Sequence, residues 1–207
     1  MVDSAFEEQV IDEITAGLSV VACVADWKPT VPIAYASTPI TTGRRMYNLF
    51  EQRGITSRDQ LPSGSFEQDV MRPNIASGDS FGKQLRATEH YKLVICPATF
   101  FAKDWGQEHY MALWERVIAT FATAVHFNDG WEYSTGCVEE LVIALGSGKE
   151  IYEGITKTPL EQRVGVQRIE AALEHIGQIG ADITKLYGLY RRLTIDTFVK
   201  ERVAVQV

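Results

Sequence analysis

Residues 122–152 read ATAVHFNDGWEYSTGCVEELVIALGSGKEIY and predict a strand, a helix and a second strand in succession. Ala122–Phe127 is a short apolar run of the kind found in buried strands. Asn128-Asp129-Gly130 is a strong turn signal, and the helix that follows it ends at Gly146-Ser147-Gly148. Lys149–Tyr152 is the next strand. A strand–helix–strand unit of this length is typical of a parallel sheet covered by helices.

The same alternation of short apolar runs and helix-like segments extends towards the N-terminus. It predicts strands at Val31–Ser37 and Lys92–Ala98, and helices at Arg44–Arg53 and Gly106–Phe121. Gly54 follows the first of these helices as the expected left-handed stop. The chain is therefore predicted to belong to the α/β class, with a mostly parallel sheet.

Two segments fit this alternation less clearly. Residues 55–90 are rich in Ser, Gly, Asp, Arg and Pro and show no sustained periodicity, which predicts a loop-rich insertion. Near the N-terminus, a capping box at Ser4 predicts a helix through Gly17. The β-branched run Ser19–Val24 is either a strand or the end of that helix.

The C-terminal part is predicted to be helical. Thr158-Pro159-Leu160-Glu161 has the pattern of a helix start, with Thr as N-cap and Pro at the first helical position. The apolar stripe that follows fits one long helix, or two helices broken near Gly177 and Gly180. We divide the chain into an α/β domain, residues 1–156, and a helical extension, residues 157–207. The extension is expected to pack across the helices of the sheet or against a second subunit.

Composition excludes several classes of protein. Of the 207 residues, 45% are hydrophobic and 23% charged, which is typical of a globular chain and not of a disordered one. No apolar stretch is long enough for a membrane helix, and a formal charge of −7 argues against a nucleic-acid binder. The acidic start has no secretion-signal pattern, and the three cysteines suggest neither a disulfide framework nor a CxxC site, so a cytoplasmic protein is expected. The four histidines lack metal-ligand spacing, so no metal is expected.

Ligands of a parallel sheet bind in the loops that lead from strands into helices. The loop before the helix of residues 122–152 has Ser134 and Gly136 at the helix entrance, where they are either an anion seat or an ordinary N-cap. Glu140 lies in a helix that is apolar nearly all round. A buried carboxylate there is costly unless it is paired or useful; the alternative is that Glu140 faces solvent.

One segment resembles a known family. GWEYSTGCVEELVIAL, residues 130–145, is similar to the GW-x-x-S-x-G-x-x-x-E segment of the nucleoside 2-deoxyribosyltransferase-like superfamily. This superfamily includes nucleoside deoxyribosyltransferases and hydrolases of nucleoside 5′-monophosphates. The resemblance implies that Glu140 is the nucleophile and that Ser134, with Gly136, binds the 5′-phosphate. It also implies a flavodoxin-like or Rossmann-like three-layer fold.

A second segment resembles the same superfamily. IAYASTPITTGRR, residues 33–45, is similar to its first strand and loop, Y-x-A-G/S-P-I-x-x-G-R. The resemblance implies that Tyr35 contacts the catalytic Glu and that the loop holds sugar and phosphate. The loop residues that match are Thr38, Ile40, Thr41, Gly43 and Arg44.

A third match is weaker, because Glu115 stands where the family carries an acid that is usually Asp. By this match Glu115 protonates the leaving base or holds a sugar hydroxyl. Its proximity to Glu140 would raise one of the two pKa values. Trp131 is a candidate for stacking on the base, with a packing role as the alternative. Arg45, which follows the matched Arg44, is expected to be solvated.

The resemblance implies an enzyme that cleaves the N-glycosidic bond of a (deoxy)ribonucleoside 5′-monophosphate. Base exchange between nucleosides is the alternative within the family, and a non-catalytic nucleotide-binding or sensing protein is the alternative outside catalysis. The expected ligand is a nucleotide or nucleoside, without a cofactor. The expected protein partner is a second copy of the chain, in a homodimer or higher homo-oligomer.

Overall fold

The computed structural model describes residues 31–204, together with Ile11, Ile14, Gly17 and Leu18, and the side chains as far as residue 195. Ile11, Ile14, Gly17 and Leu18 are helical. The rest of the helix expected from Ser4, and the run Ser19–Val24, lie outside the described residues.

A five-stranded sheet in the order β2-β1-β3-β4-β5 forms the centre of the protein. The first four strands run parallel, and the short β5 pairs with β4 in the antiparallel direction. The strands are β1 (Ile33–Ser37), β2 (Leu93–Ile95), β3 (Ala124–Phe127), β4 (Glu150–Glu153) and β5 (Thr158–Pro159). The predicted α/β class with a mostly parallel sheet is confirmed.

Six α-helices flank the sheet in the described part of the chain. They are α1 (Arg44–Arg53), α2 (Arg72–Ala87), α3 (Gln107–Thr120), α4 (Thr135–Gly146), α5 (Gln162–Gln178) and α6 (Thr184–Ala204). No helix of this part is both long enough and apolar enough to cross a membrane.

The two faces of β1 differ because successive side chains of a strand point to opposite sides. Ala34 and Ala36 face α2 and are buried with its Phe81 and Leu85. Tyr35 belongs to the larger core on the other face, to which α1 and α3–α6 contribute. These layers form the Rossmann-like architecture that the family resemblance implies.

The expectation of a loop-rich insertion at residues 55–90 is wrong for its second half, which is helix α2 and a wide helical turn at Glu67–Met71. Three of the five buried residues of α2 are Asn74, Gly78 and Gly82. Only Phe81 and Leu85 are large and apolar, which is too weak a periodicity to predict a helix from the sequence. A Cβ atom on Gly78 would lie 2.4 Å from the Cβ atom of Ala98. Glycine is therefore needed for the close approach of α2 to the loop after β2.

The expected helix start at Thr158 is also wrong. Thr158 and Pro159 form β5, which pairs with Glu153 and Tyr152, and the N–H of Leu160 donates to the carbonyl of Ile151. Pairing with an exposed strand edge therefore overrides the local capping pattern, and α5 begins only at Gln162.

The predicted strand Lys92–Ala98 is shorter than expected, since β2 ends at Ile95. A 3₁₀ turn follows at Pro97–Thr99, where Pro97 has no N–H to donate to a strand ladder.

Two separate C-terminal helices form, divided at Gly180, and not one long helix. Helix α6 packs against both α5 and α4. Leu186 and Leu193 of α6 are buried in the same core as Tyr35 of the sheet. The C-terminal helices thus pack across the helices of the sheet, which is one of the two arrangements expected.

Candidate functional site

Three side chains meet beneath the carboxyl edge of the sheet and are called here the carboxylate cluster: Tyr35, Ser37 and Glu140. The hydroxyl of Tyr35 donates to Oε1 of Glu140 at 2.6 Å, and the hydroxyl of Ser37 donates to Oε2 at 2.5 Å. Glu140 is only 6% exposed. The hydrogen bond expected between Tyr35 and Glu140 is therefore formed, and both carboxylate oxygens are held.

Ser37 is the member of the cluster that the sequence analysis missed. It lies two residues after Tyr35 on β1, so both side chains point to the face that α4 covers. This period of two was the available signal, because any residue at position 37 shares the face of Tyr35.

Burial dominates the electrostatics of the cluster. It raises the pKa of Glu140 from 4.5 to about 7, although the hydrogen bonds from Ser37 and Tyr35 act in the opposite direction. The neighbouring Glu139 adds to the rise. Burial and the charge of Glu140 raise the pKa of Tyr35 well above its usual value. Near neutral pH Glu140 thus populates both protonation states, while Tyr35 keeps its proton and donates it.

Cys137 lies one turn before Glu140 on α4. Its thiol is buried, and burial together with the charge of Glu140 raises its pKa. The thiol therefore stays protonated at neutral pH and is a poor nucleophile.

Ser134 is the N-cap of α4. Its hydroxyl oxygen accepts hydrogen bonds from the N–H of Cys137 at 3.4 Å and from the hydroxyl of Thr42 at 3.1 Å. The N-cap interpretation is confirmed, and an anion seat at this point stays a prediction. Gly136, in the first turn, lies beside the side-chain amide of Gln107.

The loop from Thr38 to Gly43 joins β1 to α1. The carbonyl of Ile40 accepts a hydrogen bond from the amide of Asn74, and Thr41 is half-buried. Gly43 has a φ of 122°, a backbone conformation that side chains with a Cβ rarely adopt, so the entry into α1 depends on glycine.

Arg44, which the family resemblance assigns to the phosphate, is engaged by carboxylates. Its guanidinium pairs with Asp129 at 3.1 Å and with the buried Glu132. Glu132 also pairs with Arg168 of α5. The charge of Arg44 therefore neutralises a buried acid, and binding a phosphate would require these pairs to open.

Trp131 is fully buried, which excludes the expected stacking on a base and confirms the packing alternative. Its ring lies 5.0 Å from that of Phe127, and Gly165 of α5 passes close to it. The indole N–H has no partner among the described residues.

Glu115 does not reach the carboxylate cluster, so the proximity of its carboxylate to that of Glu140, expected from the sequence, is not found. Helix α3 buries Leu113, Trp114, Val117 and Ile118, and position 115 therefore lies on the exposed side. The groups that perturb the pKa of Glu140 do not include Glu115. Glu115 matches the family's second acid in its position along the chain, but the periodicity of α3 places its side chain on the exposed side of the helix.

A cleft of about 390 Å³ lies on the other side of the loop after β1. It opens beyond the carboxyl ends of β1 and β3, where the strand order reverses and where open α/β sheets bind their ligands. Its walls come from α1, α2, the wide helical turn before α2 and two loops: Thr38, Pro39, Arg44, Arg45, Asn48, Leu49, Gln52, Asp69, Asn74, Ser77, Asn128 and Asp129. Tyr35, Ser37 and Glu140 do not line it, but Thr38 directly follows Ser37.

Within the described residues, no group of three or more His, Cys, Asp or Glu side chains is placed to hold a metal ion. Comparisons of the chain with protein-family models, with curated proteins and with solved structures found no match.

Proposed function

We propose that the protein is an N-glycosidase that hydrolyses a (deoxy)ribonucleoside 5′-monophosphate to the free base and (deoxy)ribose 5-phosphate. The observation that carries the proposal is the buried carboxylate of Glu140, held at both oxygens by Tyr35 and Ser37. Burial of an ionisable group with a raised pKa is expected where chemistry requires it. The two sequence segments that resemble the deoxyribosyltransferase-like superfamily supply the substrate class.

In the proposed mechanism, the Glu140 carboxylate attacks C1′ of the sugar as the C1′–N bond breaks. The bond's electron pair leaves with the base, and the transition state has oxocarbenium character, which a carboxylate stabilises. Water then attacks C1′ and releases Glu140. Overall, the water supplies its hydroxyl group to C1′ and its proton to the base.

Tyr35 and Ser37 act as positioning residues in this mechanism. Their hydrogen bonds fix the direction of both carboxylate oxygens and favour the ionised form of Glu140. Fixing the nucleophile before the substrate binds removes part of the entropic barrier of the reaction.

The proposal is tested by incubating the full chain with a panel of ribo- and deoxyribonucleoside 5′-monophosphates and separating the products by chromatography. We expect free base and a sugar phosphate from at least one nucleotide. A new nucleoside formed only when a second base is added would identify a transferase. Thermal stabilisation by nucleotides, with no release of base in long incubations, would identify a binding protein.

Replacing Ser37 with Ala is expected to shift the pH dependence of base release. The wild-type rate should rise through a midpoint near pH 7 as Glu140 ionises. Loss of a hydrogen bond to a charged group, worth about 1.5 kcal/mol, moves this midpoint up by about one pH unit. The rate at pH 7 then falls about fivefold, because the ionised fraction of Glu140 drops by that factor, and it recovers at higher pH.

The measurement is kcat/KM against pH, which reports the pKa of the free enzyme, for wild type and for Ser37→Ala, with Ser80→Ala on the exposed side of α2 as the matched control. An unchanged midpoint in Ser37→Ala, with only a uniform loss of rate, would show that Ser37 does not act on the ionisation of Glu140.

A further inference from the structure

We infer that the cleft between α1 and α2 binds the phosphate group of a small phosphorylated molecule, with Arg45 as its charged anchor. The carboxylate cluster contributes no residue to this cleft. The inference rests on the proposed function only in that a nucleotide would supply the phosphate; the binding chemistry is argued from the cleft itself.

Asn74 positions the guanidinium of Arg45. Asn74 is only 7% exposed, its amide N–H donates to the carbonyl of Ile40 at 3.0 Å, and its carbonyl accepts from Nε of Arg45 at 3.2 Å. Arg45 is exposed, as the sequence predicts, and the buried Asn74 side chain uses both of its ends to hold the Arg45 guanidinium at the cleft. The two terminal nitrogens of Arg45 have no acceptor among the described residues and present a fork suited to phosphate oxygens.

The charges that line the cleft leave Arg45 without a counter-ion. Arg44 is paired with Asp129, and Asp69 is paired with Arg53 at 2.9 Å. In the part of the chain that the structure describes, no carboxylate lies within ion-pair distance of Arg45. A chain with a net charge of −7 repels anions in general. The guanidinium of Arg45 has no counter-ion among the described residues, so this cleft is a favourable place for an anionic group.

Further hydrogen-bonding groups surround the same space. Asn48 and Gln52 follow Arg45 on one side of α1, and both amides line the cleft without a hydrogen-bond partner in the described residues. The hydroxyl oxygen of Thr38 is buried and also lacks a partner there. Leu49 contributes an apolar surface to the wall of the cleft. With a volume of about 390 Å³, the cleft falls in the range of small-molecule sites.

The inference is tested by isothermal titration calorimetry on the full chain with three probes: inorganic phosphate, ribose 5-phosphate and ribose. Wild type is expected to bind both phosphate probes saturably and ribose much more weakly. Arg45→Ala should weaken phosphate binding by about tenfold or more, which corresponds to losing one charge-assisted contact. Arg45→Lys keeps the charge without the fork, so its affinity should lie between the two.

Arg72→Ala is the matched control, because it removes the same charge from an exposed arginine of α2 that pairs with Glu67 outside the cleft. It should bind phosphate as wild type does. Equal affinity of Arg45→Ala and wild type, equal binding of ribose and ribose 5-phosphate, or no saturable binding by wild type would each overturn the inference.

Base release separates this inference from the proposed function. If phosphate binding depends on Arg45 while no nucleotide loses its base, the phosphate site is supported and the proposed N-glycosidase activity is refuted. If base is released while Arg45→Ala leaves phosphate binding unchanged, the N-glycosidase activity is supported and the phosphate site at Arg45 is refuted.

Discussion

Replacing Glu140 with Gln is expected to lower the rate of base release by about a thousandfold or more, equivalent to about 4 kcal/mol of transition-state stabilisation. An amide is nearly isosteric with the carboxylate but cannot attack C1′ or neutralise the developing cation. The residual rate then reflects substrate binding and orientation alone. The measurement is kcat by chromatography of the released base, with nucleotide at saturation.

Glu139→Gln is the matched control for this variant, because Glu139 neighbours Glu140 on α4 and lies half-buried outside the carboxylate cluster. Its rate should stay within a few-fold of wild type. A Glu140→Gln protein that keeps a native circular dichroism spectrum and full activity would refute the proposed mechanism.

The same substitution should change how stability depends on pH. The pKa of Glu140 rises from 4.5 to about 7 on folding, so between these values the folded protein keeps a proton that the unfolded chain releases. Stability therefore falls as pH rises through this window, by about 3 kcal/mol in total. Gln cannot ionise, so Glu140→Gln escapes this loss.

Urea denaturation of wild type and Glu140→Gln between pH 4 and pH 8 measures the effect. The free energy of unfolding of the variant, relative to wild type, should increase by about 3 kcal/mol across this range. Glu174→Gln serves as the control here, since it removes an exposed carboxylate of α5 that is not among the groups shifting the pKa of Glu140. A constant difference between Glu140→Gln and wild type at all pH values would show that Glu140 ionises normally in the folded protein.

These two results would together describe one trade-off. The burial that raises the pKa of Glu140 weakens the fold at neutral pH, and it also removes water from around the nucleophile. A site that needs a reactive carboxylate is expected to carry such a cost. The Ser37 and Tyr35 hydrogen bonds reduce it by favouring the ionised form.

Local patterns predicted most of the architecture. The strands at β1, β3 and β4 and the helices α1, α3 and α4 have apolar periodicities that do not depend on distant contacts. Helix α2 was not predicted because asparagine and glycine occupy three of its five buried positions. At one of these, Gly78, the close approach to Ala98 requires glycine. Strand β5 was not predicted because the pattern Thr-Pro-Leu-Glu matches a helix start. Its pairing with β4 is a tertiary contact, which the local pattern does not contain.

The candidate site was predictable only in part. Resemblance to a family brought Tyr35 and Glu140 together, and the structure forms that contact. The same resemblance misplaced Glu115, which is exposed. For Trp131 the sequence left base stacking and packing open, and its burial decides for packing. A linear motif gives the spacing of residues along the chain, but it does not say which side of an element faces the site.

The succession of β1, α1, β2, α3, β3, α4 and β4 along the chain, and the position of Glu140 near the start of a buried helix, follow from local spacing in the sequence alone. The second hydrogen bond to Glu140 from Ser37, the neutralisation of Arg44 by Glu132, and the orientation of Arg45 by Asn74 depend on tertiary packing. Ser37 is 103 residues from Glu140 along the chain. Such contacts arise only when the sheet brings strand ends to a common edge, because hydrogen bonds and ion pairs act over a few ångströms.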